Sequence, residues 1–424
     1  MINTFFEVID KFLKSNVFWN LIGIIFFRGS IVVLGIFVAR SNNISEYGLY
    51  AFLMLCASMV VSVVGSSLQI STISTFAGQV GEVSKFIYIK YVYLISLIAF
   101  VFSLGLYFSR DFLFYSFQSQ LVDGKLYGLV VLYVALSLIL SGIQGIFNAS
   151  KFFREVAIFQ IAFSIFIFMG AGLFGSAIDK IWLTLGFSTA IIIPLMLLYL
   201  FIEKKNKFSI SIIENNNERE FFSKLKQSFF PVFLSALLVA PAHWACTTIL
   251  YFTSHDAAEV ALFSTAIQWF VAASILPIAL ANVAYPNQVR DWGENSTAEI
   301  SIFLKRSILK NFKIMIFLSI ALIGLSGLLV SAYRFPQRDA WIVFAVAFST
   351  SIFLAIQLPA ANQLLAAKKF RVGFIMNAVW VVLYLFLALL FRENGALGFI
   401  FAMLIAYGVH AAYTLYYVFR RLLV

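Results

Sequence analysis

The chain has 424 residues, of which 62% are hydrophobic and 12% charged, and its formal net charge at pH 7 is +11. Water-soluble domains carry about 25% charged residues, so this composition leaves too little polar surface to cover a soluble globule. A cytosolic enzyme, a secreted disulfide-rich domain and a disordered chain are therefore excluded. The composition predicts an all-α protein that crosses a membrane many times.

The N-terminal residues 1–16 predict a short helix that lies on the membrane surface. Their apolar side chains fall on one helical face, which is typical of an interfacial helix. Glu7 and Asp10 interrupt the apolar run, so the segment does not fit a cleavable signal peptide.

Hydropathy divides the remaining chain into twelve predicted crossings, because a helix needs about 20 apolar residues to cross a bilayer. They fall at 17–40, 46–67, 88–108, 126–148, 153–176, 180–202, 229–253, 257–285, 310–333, 339–363, 371–391 and 394–419. The pattern predicts a first lobe of six crossings at 17–202, a cytoplasmic connection at 203–228, and a second lobe of six at 229–424.

The basic residues orient these crossings. Of the 30 lysines and arginines, 22 fall in one set of loops and termini, 7 fall in the other set, and Arg28 lies within a crossing. The positive-inside rule therefore predicts that both termini and the long central connection are cytoplasmic. The same rule explains the net charge, which does not indicate a nucleic-acid partner; membrane lipid head groups are the expected contacts of the basic loops.

Three short sequence similarities between the halves, which occur in the same order in each, indicate that the chain contains an internal repeat. The opening of the second crossing at 46–51 resembles that of the eighth at 259–264, 213 residues later, and the same offset pairs Gln144 with Gln357. The segment 151–154 resembles 369–371. Since each half has an even number of crossings, the halves share one orientation, and parallel repeats around a midplane site are a transporter architecture.

Arg28 is the first candidate for a functional group. It stands near the middle of the first crossing, and every acidic residue can be placed in a loop or at the end of a crossing. An intramembrane charge without a partner marks a functional site by default, and a guanidinium binds phosphate through two hydrogen bonds. We therefore expect Arg28 to face a wet cavity and to bind an anionic head group; the alternative is a contact to backbone carbonyls of a neighbouring helix.

His243 is the second candidate, in the middle of the seventh crossing. Pro231 and Pro241 are expected to bend this helix. His243 could bind substrate or take up a proton, or it could be hydrogen-bonded to a neighbouring helix.

Several further polar or aromatic side chains within the crossings are candidates for binding sugar hydroxyls or rings. Amides and indoles serve equally well as contacts between helices, and sequence alone does not separate these roles. The further cavity candidates are Gln144, Gln268, Gln357, Asn377 and Trp244. No metal-ligand cluster, cofactor motif or catalytic nucleophile is evident, so the sequence predicts no metal, no cofactor and no enzyme.

Three segments carry a family resemblance. The stretch from Ala39-Arg40 to EYGLY at 46–50, and the second-half segments EVALFS at 259–264 and AYP at 284–286, resemble the bacterial O-antigen flippases. These are polysaccharide transporters of the multidrug/oligosaccharidyl-lipid/polysaccharide (MOP) exporter superfamily.

The resemblance implies a V-shaped, MATE-like fold of two lobes that works by alternating access in the bacterial inner membrane. It implies that the substrate is an undecaprenyl-diphosphate-linked oligosaccharide, an O-antigen or related repeat unit of lipopolysaccharide biosynthesis, with other polysaccharide-assembly proteins as candidate partners. Two alternatives stay open. One is a cation-coupled multidrug exporter of the same fold, and the other is a polysaccharide polymerase or membrane glycosyltransferase.

Overall fold

The computed structural model describes residues 15–76, 85–110, 123–207, 216–254, 256–294, 296–335 and 339–423. Throughout these ranges the chain is helical apart from short turns, and they contain no β-strand. The predicted all-α architecture is confirmed. The interfacial helix expected at 1–16 falls almost wholly outside the described residues.

Within the described residues, the first half forms six helices. They are α1 (Asn16–Ser41), α2 (Ile44–Val60, continued by a π-helical turn at Val61–Gly65 and by Ser66–Phe76), α3 (Lys85–Phe108), α4 (Gly124–Ala149), α5 (Phe153–Phe174) and α6 (Ile178–Lys207).

The second half follows the same plan with two interruptions. Its helices are α7 (Asn216–Ser254), α8a (Ala257–Ala273), α8b (Ile275–Glu294), α9a (Thr297–Gly324), α9b (Ser326–Tyr333), α10 (Ala340–Ala366), α11 (Phe370–Leu390) and α12 (Gly395–Tyr417, continued by a π-helical turn at Val418–Leu422).

Helix α8 is bent by 48° between its two parts, which together are long and apolar enough to form one span. The break falls at Ser274, and Pro277 explains its position. A proline has no N–H to donate to the carbonyl four residues earlier, and its ring clashes with that carbonyl, here Ala273. With α8 counted as one span, the described chain has twelve helices long and apolar enough to cross a membrane, as predicted.

Several helices extend beyond the predicted crossings. α2 continues to Phe76, while α7 begins at Asn216 and α9a at Thr297. The added turns carry charged side chains such as Lys224, which pairs with Glu220 one turn earlier at 2.6 Å. Hydropathy finds the part of a helix that lies in the membrane, whereas the backbone hydrogen bonds continue into water. Helices α6 and α7 therefore both run into the range 203–228 that was predicted as a connection.

The packing of the helices repeats after six. In the first half α1 packs on α5, α2 on α4, α3 on α4, α4 on α6 and α5 on α6. In the second half α7 packs on α11, α8 on α10, α9 on α10, α10 on α12 and α11 on α12. The chain therefore consists of two parallel six-helix lobes.

A turn that occurs in both halves aligns the two repeats residue by residue. Lys151 after α4 and Lys368 after α10 both adopt the left-handed conformation, with φ of 60° and 56°. In each turn the next residue donates its N–H to the carbonyl five residues earlier, at 2.9 Å in both cases. The segments 151–154 and 368–371 thus align without a gap at an offset of 217, four residues more than the offset at the start of α2.

With α8 counted as one span, successive helices alternate in direction, and Ser15 and Leu423 fall on the same side of the helix bundle. We call this side the terminal face and the other side, where α2, α4, α6, α8a, α10 and α12 begin, the opposite face.

Candidate functional site

The two lobes meet through hydrogen bonds at the opposite face. The Tyr47 hydroxyl near the start of α2 lies 2.7 Å from the Thr265 hydroxyl of α8a, and both side chains are buried. Arg40 at the end of α1 donates from Nε to the carbonyl of Ala332 on α9b at 3.2 Å. We call these contacts, with the neighbouring approach of Gly48 to Ala257, the seam.

Aromatic rings reinforce the seam. The Tyr47 ring lies 5.8 Å from the Tyr333 ring and 6.5 Å from the Phe335 ring, measured between centroids. The Trp269 indole N–H donates to the Tyr333 hydroxyl at 3.2 Å. Because aromatic pairs at these distances bury large apolar areas, the seam is a tightly packed closure and not a chance contact.

Contacts between the lobes also occur nearer the terminal face. Asn20 of α1 donates to the carbonyl of Ala279 on α8b at 3.1 Å. The rings of Phe76 on α2 and Phe221 on α7 meet at 4.8 Å between centroids. Between these contacts and the seam lies the stretch of α1 that carries Arg28.

Arg28 lies at half depth. It is equally far along α1 from Asn16 and from Arg40, about 18 Å from each at 1.5 Å rise per residue. Arg28 is exposed. In the described chain, no ion pair or hydrogen bond to this guanidinium is found, and every described acidic residue lies close to a helix end.

Arg28 shares a stripe of α1 with a residue at the boundary between the lobes. Arg28 and Gly35 are seven residues apart, which places them on one face of the helix. Gly35 is buried, and a Cβ placed on it would lie 4.0 Å from Gln268 and from Tyr333, across the lobe boundary. The guanidinium is also close enough to Tyr133 of α4 to interact with it electrostatically. The exposed side chain of Phe26 lies on a different stripe.

Three other predicted site residues are half-buried, and in the described chain no side-chain hydrogen bond is found for Gln268 or Gln144. Gln268 of α8a lies near the stripe of Arg28, as its approach to Gly35 indicates. Gln144 lies on α4, near the terminal face. The Trp244 indole lies beside the Cys56 thiol of α2, so this side chain sits at the lobe boundary.

The remaining predicted site residues lie within the second lobe. Asn377 of α11 donates to the Ser235 hydroxyl of α7 at 2.7 Å. Gln357 of α10 lies 2.8 Å from the His410 ring of α12. His243 packs between the rings of α11. α7 continues as a helix through both prolines, and the structure does not bring these three residues to Arg28.

The acidic residues that carry the sequence repeat have local roles. Glu46 completes a capping box with Asn43 at the start of α2. Glu259, in the first turn of α8a, accepts a hydrogen bond from the backbone N–H of Ala396 at 2.6 Å. Carboxylates stabilise the N-termini of helices, which explains why a glutamate occurs at both 46 and 259. Among the described residues no group of three or more His, Cys, Asp or Glu side chains could hold a metal ion.

Sequence reasoning missed the seam residues. Tyr47 falls inside the segment that carried the family resemblance, but Thr265 and Tyr333 had no signal, since their role depends on contacts between helices distant in sequence. A tyrosine at the second position of a predicted crossing was the available clue.

Solved structures identify the fold. A multidrug resistance MATE family transporter of the MOP superfamily, in an outward-facing conformation, matches 97% of this chain and 97% of its own length with a TM-score of 0.78. This chain has the MATE fold. The Vibrio cholerae MATE transporter VcmN also matches, with a TM-score of 0.76 over 96% of this chain and 95% of its own. The sequence identities are 13% and 15%, so the likeness concerns the fold.

One protein of similar sequence is named as an export protein. The EPS I polysaccharide export inner membrane protein EpsE of Ralstonia solanacearum is 31% identical over 159 residues, which is 36% of this chain and 35% of that protein. The match thus spans about a third of the relative's length. No family profile matches the sequence. Taken together, the comparisons and the helices show a chain of the MATE fold with enough long apolar helices to cross a membrane many times.

Proposed function

We propose that this protein is a flippase that moves undecaprenyl-diphosphate-linked oligosaccharides across the bacterial inner membrane, from the cytoplasmic to the periplasmic leaflet. The observation that carries the proposal is Arg28, an exposed guanidinium at half depth of α1, on the stripe that reaches the lobe boundary at Gly35, with no carboxylate beside it in the described chain. A permanent cation in a low-dielectric interior attracts an anion strongly, and a guanidinium fits a diphosphate through paired hydrogen bonds.

The proposal orients the chain with its terminal face in the cytoplasm, because most basic residues belong to that side. The substrate would enter between the lobes, place its diphosphate at Arg28 and extend its sugars along the boundary near Gln268. Opening of the seam at the opposite face would then release it into the periplasm.

The chemistry of Arg28 also separates this function from export of cationic drugs. A cationic drug would meet a like charge at half depth, and the described spans offer no buried carboxylate to attract it. We therefore expect overexpression to give no resistance to cationic dyes. Resistance that persists in the Arg28→Gln variant would instead favour the multidrug exporter.

The test of the flippase is translocation by the full-length chain in vesicles of phosphatidylethanolamine and phosphatidylglycerol. The probe is a polyprenyl-diphosphate oligosaccharide with a fluorescent sugar that an external reductant bleaches. A hydrogen bond to a charged group contributes about 1.5–3 kcal/mol, so Arg28→Gln should slow translocation by about ten-fold or more. Arg28→Lys keeps the charge without the paired geometry and should be intermediate.

Arg306→Gln is the matched control, since Arg306 is an exposed arginine on α9a, away from the boundary between the lobes. It should translocate at the wild-type rate. If Arg28→Gln also matches the wild type, the guanidinium has no part in transport and the proposed substrate chemistry is lost.

A further inference from the structure

The second lobe contains a cluster of imidazole, amide and aromatic groups that the proposed substrate path does not use. Its members are His243 of α7, Gln357 of α10, Trp380 and Tyr384 of α11, and His410 of α12; we call it the two-histidine cluster. The Trp380 ring lies 5.7 Å from the His243 ring and 6.2 Å from the His410 ring, between centroids.

Polar atoms in this cluster lack partners although they are buried. His243 Nδ1, Trp380 Nε1 and Gln357 Oε1 make no hydrogen bond. Trp380 is 2% exposed and Gln357 7%. The Tyr384 hydroxyl has only the Cys246 thiol, a weak acceptor, beside it. Buried polar atoms in proteins are nearly always paired, so a concentration of unpaired ones within one lobe indicates a site that binds something small.

The Gln357–His410 pair accommodates a proton without losing its hydrogen bond. As oriented, the amide Nε2 lies 2.8 Å from His410 Nδ1, so the amide donates to a ring nitrogen that carries a lone pair. When that nitrogen gains a proton it becomes a donor. Rotation of the amide then presents Oε1, which otherwise has no partner, as the acceptor. A glutamine can pair with both states of the ring because its amide offers a donor and an acceptor, whereas a backbone carbonyl can only accept.

His243 has surroundings that suit a cation although no acid is near. Its ring lies 5.7 Å from the Trp380 centroid and 5.5 Å from the Tyr384 centroid. These separations fall within about 6 Å, the range over which aromatic faces attract a cation. The unpartnered Nδ1 can bind an incoming proton. Once protonated, it can donate a hydrogen bond to a water molecule.

The titratable groups that face the cluster are few. From α7 they are His243 and Cys246, from α11 Tyr384, and from α12 His410 and Tyr407; α10 contributes the neutral Gln357. In the described parts of these helices and of α8a, the charged residues lie near helix ends, the deepest being Lys226, about 25 Å along α7 from His243. Among these groups, histidine is the residue type whose charge changes most readily with pH.

A chain of ring contacts connects the cluster to the seam. Trp380 packs on Tyr407 at 5.1 Å, and Tyr407 packs on Phe270 of α8a at 5.2 Å. The same helix α8a carries Thr265, whose hydroxyl holds Tyr47 of the first lobe. A change in the packing of α11 and α12 around a protonated ring thus reaches the helix that closes the opposite face.

We infer that the two-histidine cluster is a proton-binding site whose occupancy shifts the balance between the open and closed seam. The proton comes from water and forms an N–H bond on an imidazole nitrogen, with the Gln357 amide rotating to accept from it at His410. This inference requires the lobes to move as proposed above, but it does not depend on what they carry.

The experiment uses the full-length chain labelled with ¹³C at histidine Cε1 and placed in nanodiscs. The sequence has three histidines, so the spectrum contains three signals, which His243→Gln, His255→Gln and His410→Gln assign. In parallel, nitroxides on Lys125→Cys of α4 and Glu393→Cys before α12, both exposed at the opposite face, report the separation of the lobes by pulsed electron resonance. Both measurements are made between pH 4 and 8 without substrate.

We expect the signal of His243 or His410 to titrate, and the ratio of open to closed distances to change about five-fold or more at the same pH, as for a typical allosteric coupling. The double variant His243→Gln, His410→Gln should lose that change, whereas His255→Gln should keep it. The inference is overturned if neither signal titrates, or if the distance distribution is independent of pH or changes equally in the double variant. Loss of translocation in Arg28→Gln with an intact pH response would leave this site standing, so the two proposals fail separately.

Discussion

A disulfide between Gly48→Cys and Ala257→Cys is expected to abolish transport and to release it again on reduction. A Cβ built on Gly48 lies 3.6 Å from the Ala257 Cβ, inside the range of 3.5–4.5 Å that disulfides require. Gly48 belongs to the first lobe and Ala257 to the second, so the bond would fix the seam closed at the opposite face. Alternating access needs this face to open, and a covalent lock removes the opening completely.

The two single variants, Gly48→Cys and Ala257→Cys, are the controls, and both should keep most of the wild-type activity under oxidising conditions. The native Cys56 and Cys246 are buried with free thiols and stay in every variant. Translocation is measured before oxidation, after oxidation and after reduction of the same vesicles. Undiminished translocation by the oxidised double variant, with the disulfide verified by mass spectrometry, would refute a moving seam.

The variant Gly23→Val is expected to destabilise the first lobe, whereas Gly29→Val on the same helix is tolerated. A Cβ on Gly23 would lie 2.8 Å from the Ala157 Cα of α5 and would collide with the Gln160 side chain. The backbone of α5 cannot move away from this Cβ unless α1 and α5 separate. Overpacking of this kind costs about 1–3 kcal/mol.

A Cβ on Gly29, by contrast, meets no atom within 4 Å. The measurement is the thermal unfolding midpoint of the purified chain in one detergent. At about 2–4 °C per kcal/mol for a unit of this size, Gly23→Val should lower the midpoint by several degrees. Equal midpoints for the two variants would show that the close packing of α1 on α5 is unimportant.

The sequence predicts the membrane spans well because their signal is local. Apolar runs identify each crossing, and a single deep charge identifies Arg28, without knowledge of which helices touch. The helix ends are harder, since α2, α7 and α9a continue as polar helices beyond the apolar zone. The break in α8 has a local cause in Pro277 that hydropathy does not register.

The rest of the site depends on packing between distant segments. Tyr47 and Thr265 are 218 residues apart, and Gln357 and His410 are 53 apart. Amides that look alike in sequence separate only in the structure, where Asn377 bonds to Ser235 and Gln268 lies at the lobe boundary. The repeat helps little here, since Gln144 and Gln357 occupy matching helices yet only Gln357 has a histidine beside it.

The most direct test of the central claim is the binding of undecaprenyl diphosphate, compared with undecaprenol, to the purified chain in nanodiscs. The two ligands share the hydrocarbon tail, so their difference in affinity isolates the diphosphate. We predict that the wild type and Arg306→Gln bind the diphosphate about ten-fold or more tightly than the alcohol, and that Arg28→Gln binds both equally. A preference for the diphosphate that persists in Arg28→Gln would contradict the account.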